Sequence, residues 1–313
     1  MARVVAVLAL LVVAGVATAQ STETVGMITE IKTGRGRVEI RSSGDWRRAG
    51  PLQALRAGDA VRATDDAMAV VMLTGGGTVK IEAASSPYTV AARTDDSRTQ
   101  KARALVQAGL GFLAAGQREA ATAVLSTRGS AKPPVVIAPR NTMLLPGPLA
   151  LEWTGSRFAR YTVRIVAPSG PVFERRGVAG GRLDYPPDAP ALAASTRYTI
   201  QVTAGGDPAP EEAWFEVLDA ERARKVADDL TALTQSFGSS TSRNSVAVVR
   251  AGMLASAGLL HDARRVVLDA LVTDPDEPAL HQALGNVYQK SGLAELAAES
   301  YDEAQFLLTR NAK

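Results

Sequence analysis

The sequence contains no cysteine and two histidines, and aromatic residues make up 5% of its 313 positions. Without thiols the chain has no disulfide, no cysteine nucleophile and no acceptor for a lipid anchor, so a small stapled fold and a lipoprotein are both excluded. The signatures of several enzyme classes are missing too: there is no G-x-S-x-G elbow, no Walker A loop and no H-E-x-x-H pair. Adjacent acids at Asp65-Asp66, Asp95-Asp96 and Asp228-Asp229 point in different directions from a turn or helix, and so do not converge as a catalytic pair must. The glycine turns "GRGR" and "TGGGT" are not followed by a helix, which excludes a phosphate cradle. His261 and His281 fall at or near helix starts, where surface or packing roles are expected, and Asp274, Asp276 and Glu277 flank a proline that begins the next helix. The chain reads as non-catalytic, with no metal and no cofactor.

Long apolar runs are also lacking. The stretch from Val4 to Val16 is too short for an ordinary span, which needs about 20 apolar residues. It follows Arg3 and ends at Ala17-Thr18-Ala19, which is the pattern of a secretory signal occupying residues 1–19 and cleaved after Ala19. The expectation is a periplasmic protein with no stable membrane anchor. Lys and Arg together number 35 against 32 Asp and Glu, a net charge of +3 that gives no reason to expect nucleic acid as a partner. A hydrophobic fraction of 46% with 21% charged residues is that of a folded chain, and the length allows two or three domains.

From Val25 the sequence alternates as half-buried strands do. "MITEI", "RVEIR", "DAVRA", "MAVVML" and "TVKIE" are separated by turn residues at Gly34 to Gly36, Ser43-Gly44-Asp45, Asp65-Asp66 and Gly75 to Gly77, and predict a small meander or roll. The order of these parts over residues 24–92 resembles the FecR domain of bacterial envelope proteins, with Gly75-Gly76-Gly77 departing from that family's usual turn. Between residues 31 and 62, eight cationic side chains stand against three acidic ones, so an anionic wall polymer is a candidate partner beside the plainer reading of a solvated strand face.

Residues 93–131 predict a helix or helical pair, with Leu105, Ala108 or Gly109, Phe112 and Leu113 on one face, followed by a linker. Over residues 132–217 about seven strand-like segments recur at the spacing of a β-sandwich, with Trp153 in its core. "LAASTRYTIQVTA" resembles the end of a fibronectin type III or immunoglobulin-like domain, which implies that the Tyr198 hydroxyl bonds back to the chain at a corner.

Residues 218–313 carry helical periodicity. Leu284, Gly285, Tyr288, Ala297, Tyr301 and Ala304 occupy positions 7, 8, 11, 20, 24 and 27 counted from Pro278, and the register repeats 34 residues earlier with Ala251, Gly258, Ala263, Val267 and Ala270. Units 244–277 and 278–311 resemble tetratricopeptide repeats, with Arg250 a departure at position 7. Before them, Ala223, Val226, Leu230, Leu233 and Phe237 form a stripe expected to cap the array. The repeat resemblance implies a concave groove lined by Gln282, Asn286, Gln289 and Lys290, beside an apolar or small stripe of Val248, Gly252, Ala255 and Ser256. A peptide or chain terminus is the implied ligand, bonded through Asn286.

The sequence thus predicts a multidomain protein with an all-β N-terminal domain, a β-sandwich and an all-α C-terminal array. The expected function is an envelope adaptor or scaffold binding a protein or peptide, and the alternative is a module binding wall polymer or polysaccharide.

Overall fold

The computed structural model describes residues 23–75, 77–91, 100–120, 134–205 and 210–310, with the side chains of 117–120 left aside. The expected export signal, the acids Asp95-Asp96 and most of the expected linker lie outside the described residues. The chain is multidomain, as expected: β-sheet units over 24–217 precede an all-α array of stacked helices over 220–309.

Among the described residues the first unit has eight strands: β1 (Thr24–Lys32), β2 (Val38–Arg41), β3 (Arg47–Arg48), β4 (Ala54–Arg56), β5 (Ala60–Ala63), β6 (Met68–Leu73), β7 (Thr78–Glu82) and β8 (Tyr88–Thr89). They form two four-stranded sheets, β4-β1-β6-β7 and β3-β2-β5-β8, so sequence neighbours often lie in different sheets. The three shortest strands are too brief to leave an alternating pattern. β1 is buried along nearly its whole length because both of its faces are covered. Ile28 and Ile31 enter the core of the unit, whereas Met27 joins the core of the helices. A register shift between Ile28 and Glu30 leaves Thr29 as an extra residue. Its hydroxyl lies 2.8 Å from that of Ser245 in the helical region. A bulge that re-aims a side chain is thus one device that joins sheet to helix.

The second unit contains β9 (Val136–Ala138), β10 (Thr142–Leu144), β11 (Ala150–Trp153), β12 (Arg160–Ala167), β13 (Gly170–Ala179), β14 (Arg182–Asp184), β15 (Arg197–Ala204) and β16 (Glu211–Val217). Sheets β10-β16-β15-β12-β13 and β14-β11-β9 share one core. Tyr161, Val163 and Ile165 are buried on one face of β12, as are Tyr198, Ile200 and Val202 of β15. Trp153 meets the edge of Tyr161 at 5.6 Å, and the Tyr198 hydroxyl accepts from the amide of Ala193 at 2.6 Å. The strand that sequence pattern misses is β10, three residues long and parallel to β16.

Among the described residues six α-helices complete the fold: α1 (Gln100–Ala120), α2 (Ala220–Ser236), α3 (Arg243–Ser256), α4 (Leu260–Thr273), α5 (Pro278–Ser291) and α6 (Ala294–Thr309). Hairpins α3–α4 and α5–α6 turn at Gly258 and Gly292, 34 residues apart, with left-handed φ values of 79° and 81° that favour glycine. The internal repeat read from the sequence is therefore a repeat in backbone conformation. Two expectations are refined. α1 is one helix, and its buried face runs through Ala102, Val106, Gly109, Leu110, Leu113 and Gly116, so Ala108 is exposed and Leu105 and Phe112 lie at the margin. α2 does place Leu233 in the helical core with Ala223, Val226, Leu230 and Phe237 against it, but it packs chiefly on α1 and only lightly on α3.

Candidate partner-binding groove

The groove of the array is built by α3 and α5, and α1 lies in it. Two helices can approach so closely only where side chains are small. A Cβ added to Gly109 would stand 2.8 Å from the Val249 carbonyl oxygen, and one added to Gly252 would stand 2.5 Å from the Gly109 carbonyl oxygen. The backbones of α1 and α3 are in direct contact at this crossing. About two turns further along α1, Gly116 leaves room for Asn286 of α5.

Asn286 is 2% exposed. Its Nδ2 donates to the carbonyl of Leu113 in α1 at 3.1 Å, and its Oδ1 accepts from the Tyr301 hydroxyl of α6 at 3.1 Å. A carboxamide that satisfies a backbone group is the chemistry expected of Asn286, but the backbone it serves belongs to the same chain. The expectation of an open stripe must be corrected accordingly. Asn286 and Val248 are buried, Gln282 and Gln289 are half-buried, and Lys290 is exposed at the C-terminal end of α5. Gly252 and Ala255 are also buried, which leaves Ser256 as the exposed member of the second stripe. Side-chain polarity on α5 did not signal this. The small residues of α1 did carry a signal, since glycines in a helix are tolerated where another backbone must come close.

The same hairpins hold both β units. On one side Glu277, the N-cap of α5, accepts with Oε1 from the amides of Ile31 in β1 at 3.0 Å and Ala279 at 3.2 Å. Its Oε2 has no hydrogen bond and lies 3.3 Å from the Lys32 ammonium. Burial pushes the Glu277 carboxyl up to about 7, against the pull of those amides and of Lys32. Glu30 of β1 accepts from the Ser245 hydroxyl at 2.6 Å and amide at 3.2 Å, and from the Ser242 hydroxyl, and burial raises its pKa as well. Burial opposes the charge on Lys32, yet its 2.6 Å bond to Asp274 and the nearby Glu277 hold it above the usual lysine range. Two carboxylates thus meet the N-terminal ends of α3 and α5, where unpaired amides favour negative charge.

On the other side β10 and the residue before it dock on the two glycine turns. The Met143 amide donates to the Gly258 carbonyl at 3.0 Å, and Asn141 Nδ2 donates to the Ser291 carbonyl at 3.0 Å. Arg264 of α4 pairs with Glu152 of β11 at 2.8 Å. The two histidines take up packing positions. His281 is bonded to the Pro275 carbonyl at 2.7 Å. His261 borders a cleft of about 680 Å³ between the sandwich and α4, walled by Pro146, Pro148, Tyr185 and Pro186, and burial drives its pKa down to about 4. The array is therefore a spine with α1 in its groove and a β unit on each side. No family model matches the sequence, and no curated protein is significantly similar to it.

Proposed function

We propose that this protein is a non-catalytic adaptor or scaffold of the bacterial cell envelope, exported to the periplasm, whose helical array binds a protein partner along the rim of the groove that α1 fills. The observation that carries the reading is the mode in which α1 is held. A glycine and alanine floor admits a helix backbone, and a buried carboxamide bonds one of its carbonyls, so the groove has the chemistry of a peptide receptor with an occupant from its own chain. The resemblance of the first unit to FecR domains, of the second to fibronectin type III or immunoglobulin-like domains and of the hairpins to tetratricopeptide repeats supports the same reading. The paired sheets, the Tyr198 bond and the 34-residue register are consistent with those three assignments.

Lys290 and Gln282 remain accessible beside α1, and a partner that engages the groove must pass close to them. A photocrosslinking residue placed at either position in intact cells should therefore capture one defined envelope protein, absent when the label is moved to Arg176 of the sandwich. Capture of nothing, or the same products from all three positions, would overturn the proposal.

A further inference from the structure

We propose that the outer face of the β3-β2-β5 sheet binds an anionic polysaccharide, through arginines gathered around Glu39 and Trp46. Val38 and Ile40 enter the core, so Glu39 and Arg41 share the opposite face of β2, with Arg37 just before the strand. Glu39 stands opposite Arg48 of β3 and opposite Arg62 of β5, which makes a row across three strands. Arg62 Nε bonds Glu39 at 2.7 Å, and Arg37 lies 3.6 Å from it. Arg41 and Arg48 are exposed and have no carboxylate partner among the described residues. One carboxylate among four guanidiniums leaves the row strongly cationic.

Trp46 fixes part of this charge. The guanidinium carbons of Arg41 and Arg62 lie 4.7 and 4.3 Å from its ring centroid, so stacking holds two planar forks in place, with Arg62 Nε given to Glu39 and the N–H edge of Arg41 left to donate outward. Beside them, Arg35, Arg37 and Arg48 line an open cleft of about 430 Å³ with Thr64 and Asp65. Asp65 is the acidic group of that cleft. Asp66 next to it is engaged by the amides of Arg35 and Gly36 at 2.6 and 3.1 Å, and those amides hold its carboxyl below the usual range.

A flexible chain with carboxylates at intervals matches this arrangement, because each fork can take a carboxylate through two parallel hydrogen bonds. The face lacks what a bilayer would require. The large exposed apolar side chains among the described residues are Phe158, Val272 and Phe306, all outside this unit. The ring of Trp46 is engaged by guanidiniums rather than open to a nucleic-acid base.

The test uses the purified full chain and labelled polygalacturonate as probe, with affinity measured across a range of salt concentrations. Binding should weaken steeply with salt, as counterion release requires. The double variant R41Q/R48Q should lose about tenfold in affinity at low salt. R175Q/R176Q, on the sandwich, should bind as the parent does. Unchanged circular dichroism and melting would show that the loss is one of binding, and R48E, at an exposed unpaired position, provides a second variant whose binding should fall further. Absence of binding by the parent, equal loss in the two double variants, or binding to phosphatidylglycerol vesicles in place of the polymer would each overturn the proposal.

Discussion

Replacing Gly252 by alanine separates a filled groove from an empty one by the sign of its effect. In the interior of a helix, Gly→Ala stabilises by about 1 kcal/mol, because alanine loses less backbone entropy on folding. At Gly252 the new Cβ would stand 2.5 Å from the Gly109 carbonyl oxygen and 3.0 Å from its carbon, which are backbone atoms of α1 that cannot rotate away. Reaching an ordinary contact of 3.4 Å requires α1 to retreat by about 0.9 Å along its crossing with α3. Overpacking of that kind costs about 1–3 kcal/mol, which outweighs the helical gain and leaves a net loss of up to about 2 kcal/mol. Gly111, on the exposed side of α1 where an added Cβ would meet nothing within 4 Å, provides the opposite case. Gly111→Ala should raise stability by up to about 1 kcal/mol. Urea unfolding followed by circular dichroism measures both. Stabilisation by Gly252→Ala equal to that by Gly111→Ala would refute the reasoning.

Asn286→Ala should destabilise by about 1–3 kcal/mol in the same assay, since it removes two buried hydrogen bonds, one to the Leu113 carbonyl and one from the Tyr301 hydroxyl, and a loss below about 0.5 kcal/mol would contradict the contact. Glu277 supplies a pH dependence. Its folded pKa of about 7 lies above the ordinary 4.5, so the folded state binds the proton more tightly, and the stability this group contributes is present below pH 4.5 and lost as pH rises through 7. Glu277→Gln keeps an acceptor for Ile31 and Ala279 without the ionisation, so relative to the parent it should gain about 2–3 kcal/mol between pH 5 and pH 8. Parallel stability profiles for the two proteins would contradict that assignment. For export, the protein released by osmotic shock should begin at Gln20, and an intact Met1 on membrane-bound material would refute the signal reading.

Much of the fold was legible because its elements carry strong periodicity. The alternation in "RYTIQVTA" marks β15, the short continuous apolar run "MAVVML" marks β6, and spacings of three, four and 34 mark the hairpins together with their glycine turns. What stayed hidden was set by contacts between units. β1 does not alternate because it is covered on both faces, and nothing local in "TVGMITEIK" says that this strand will meet helices more than 200 residues away. β10 is three residues long and owes its pairing to β16 and its docking to the Gly258 turn. The filling of the groove is hidden from the sequence for a similar reason. A polar stripe on α5 looks solvated in sequence, whereas its central residue, Asn286, is buried by a helix encoded some 170 positions earlier. The cationic face of β2 was visible as a count of arginines, but its order comes from Trp46, whose role depends on the packing of two strands and a turn.

Amide hydrogen exchange on the full chain tests the central claim, that α1 fills the groove of the array, most directly. If α1 lies between α3 and α5 as a core element, amides from Val106 to Leu113 exchange only through large-scale opening, with protection matching that of Leu284 to Tyr288 in α5. Exchange of the α1 amides at the rate of a solvent-exposed helix, orders of magnitude ahead of those in α5, would contradict it.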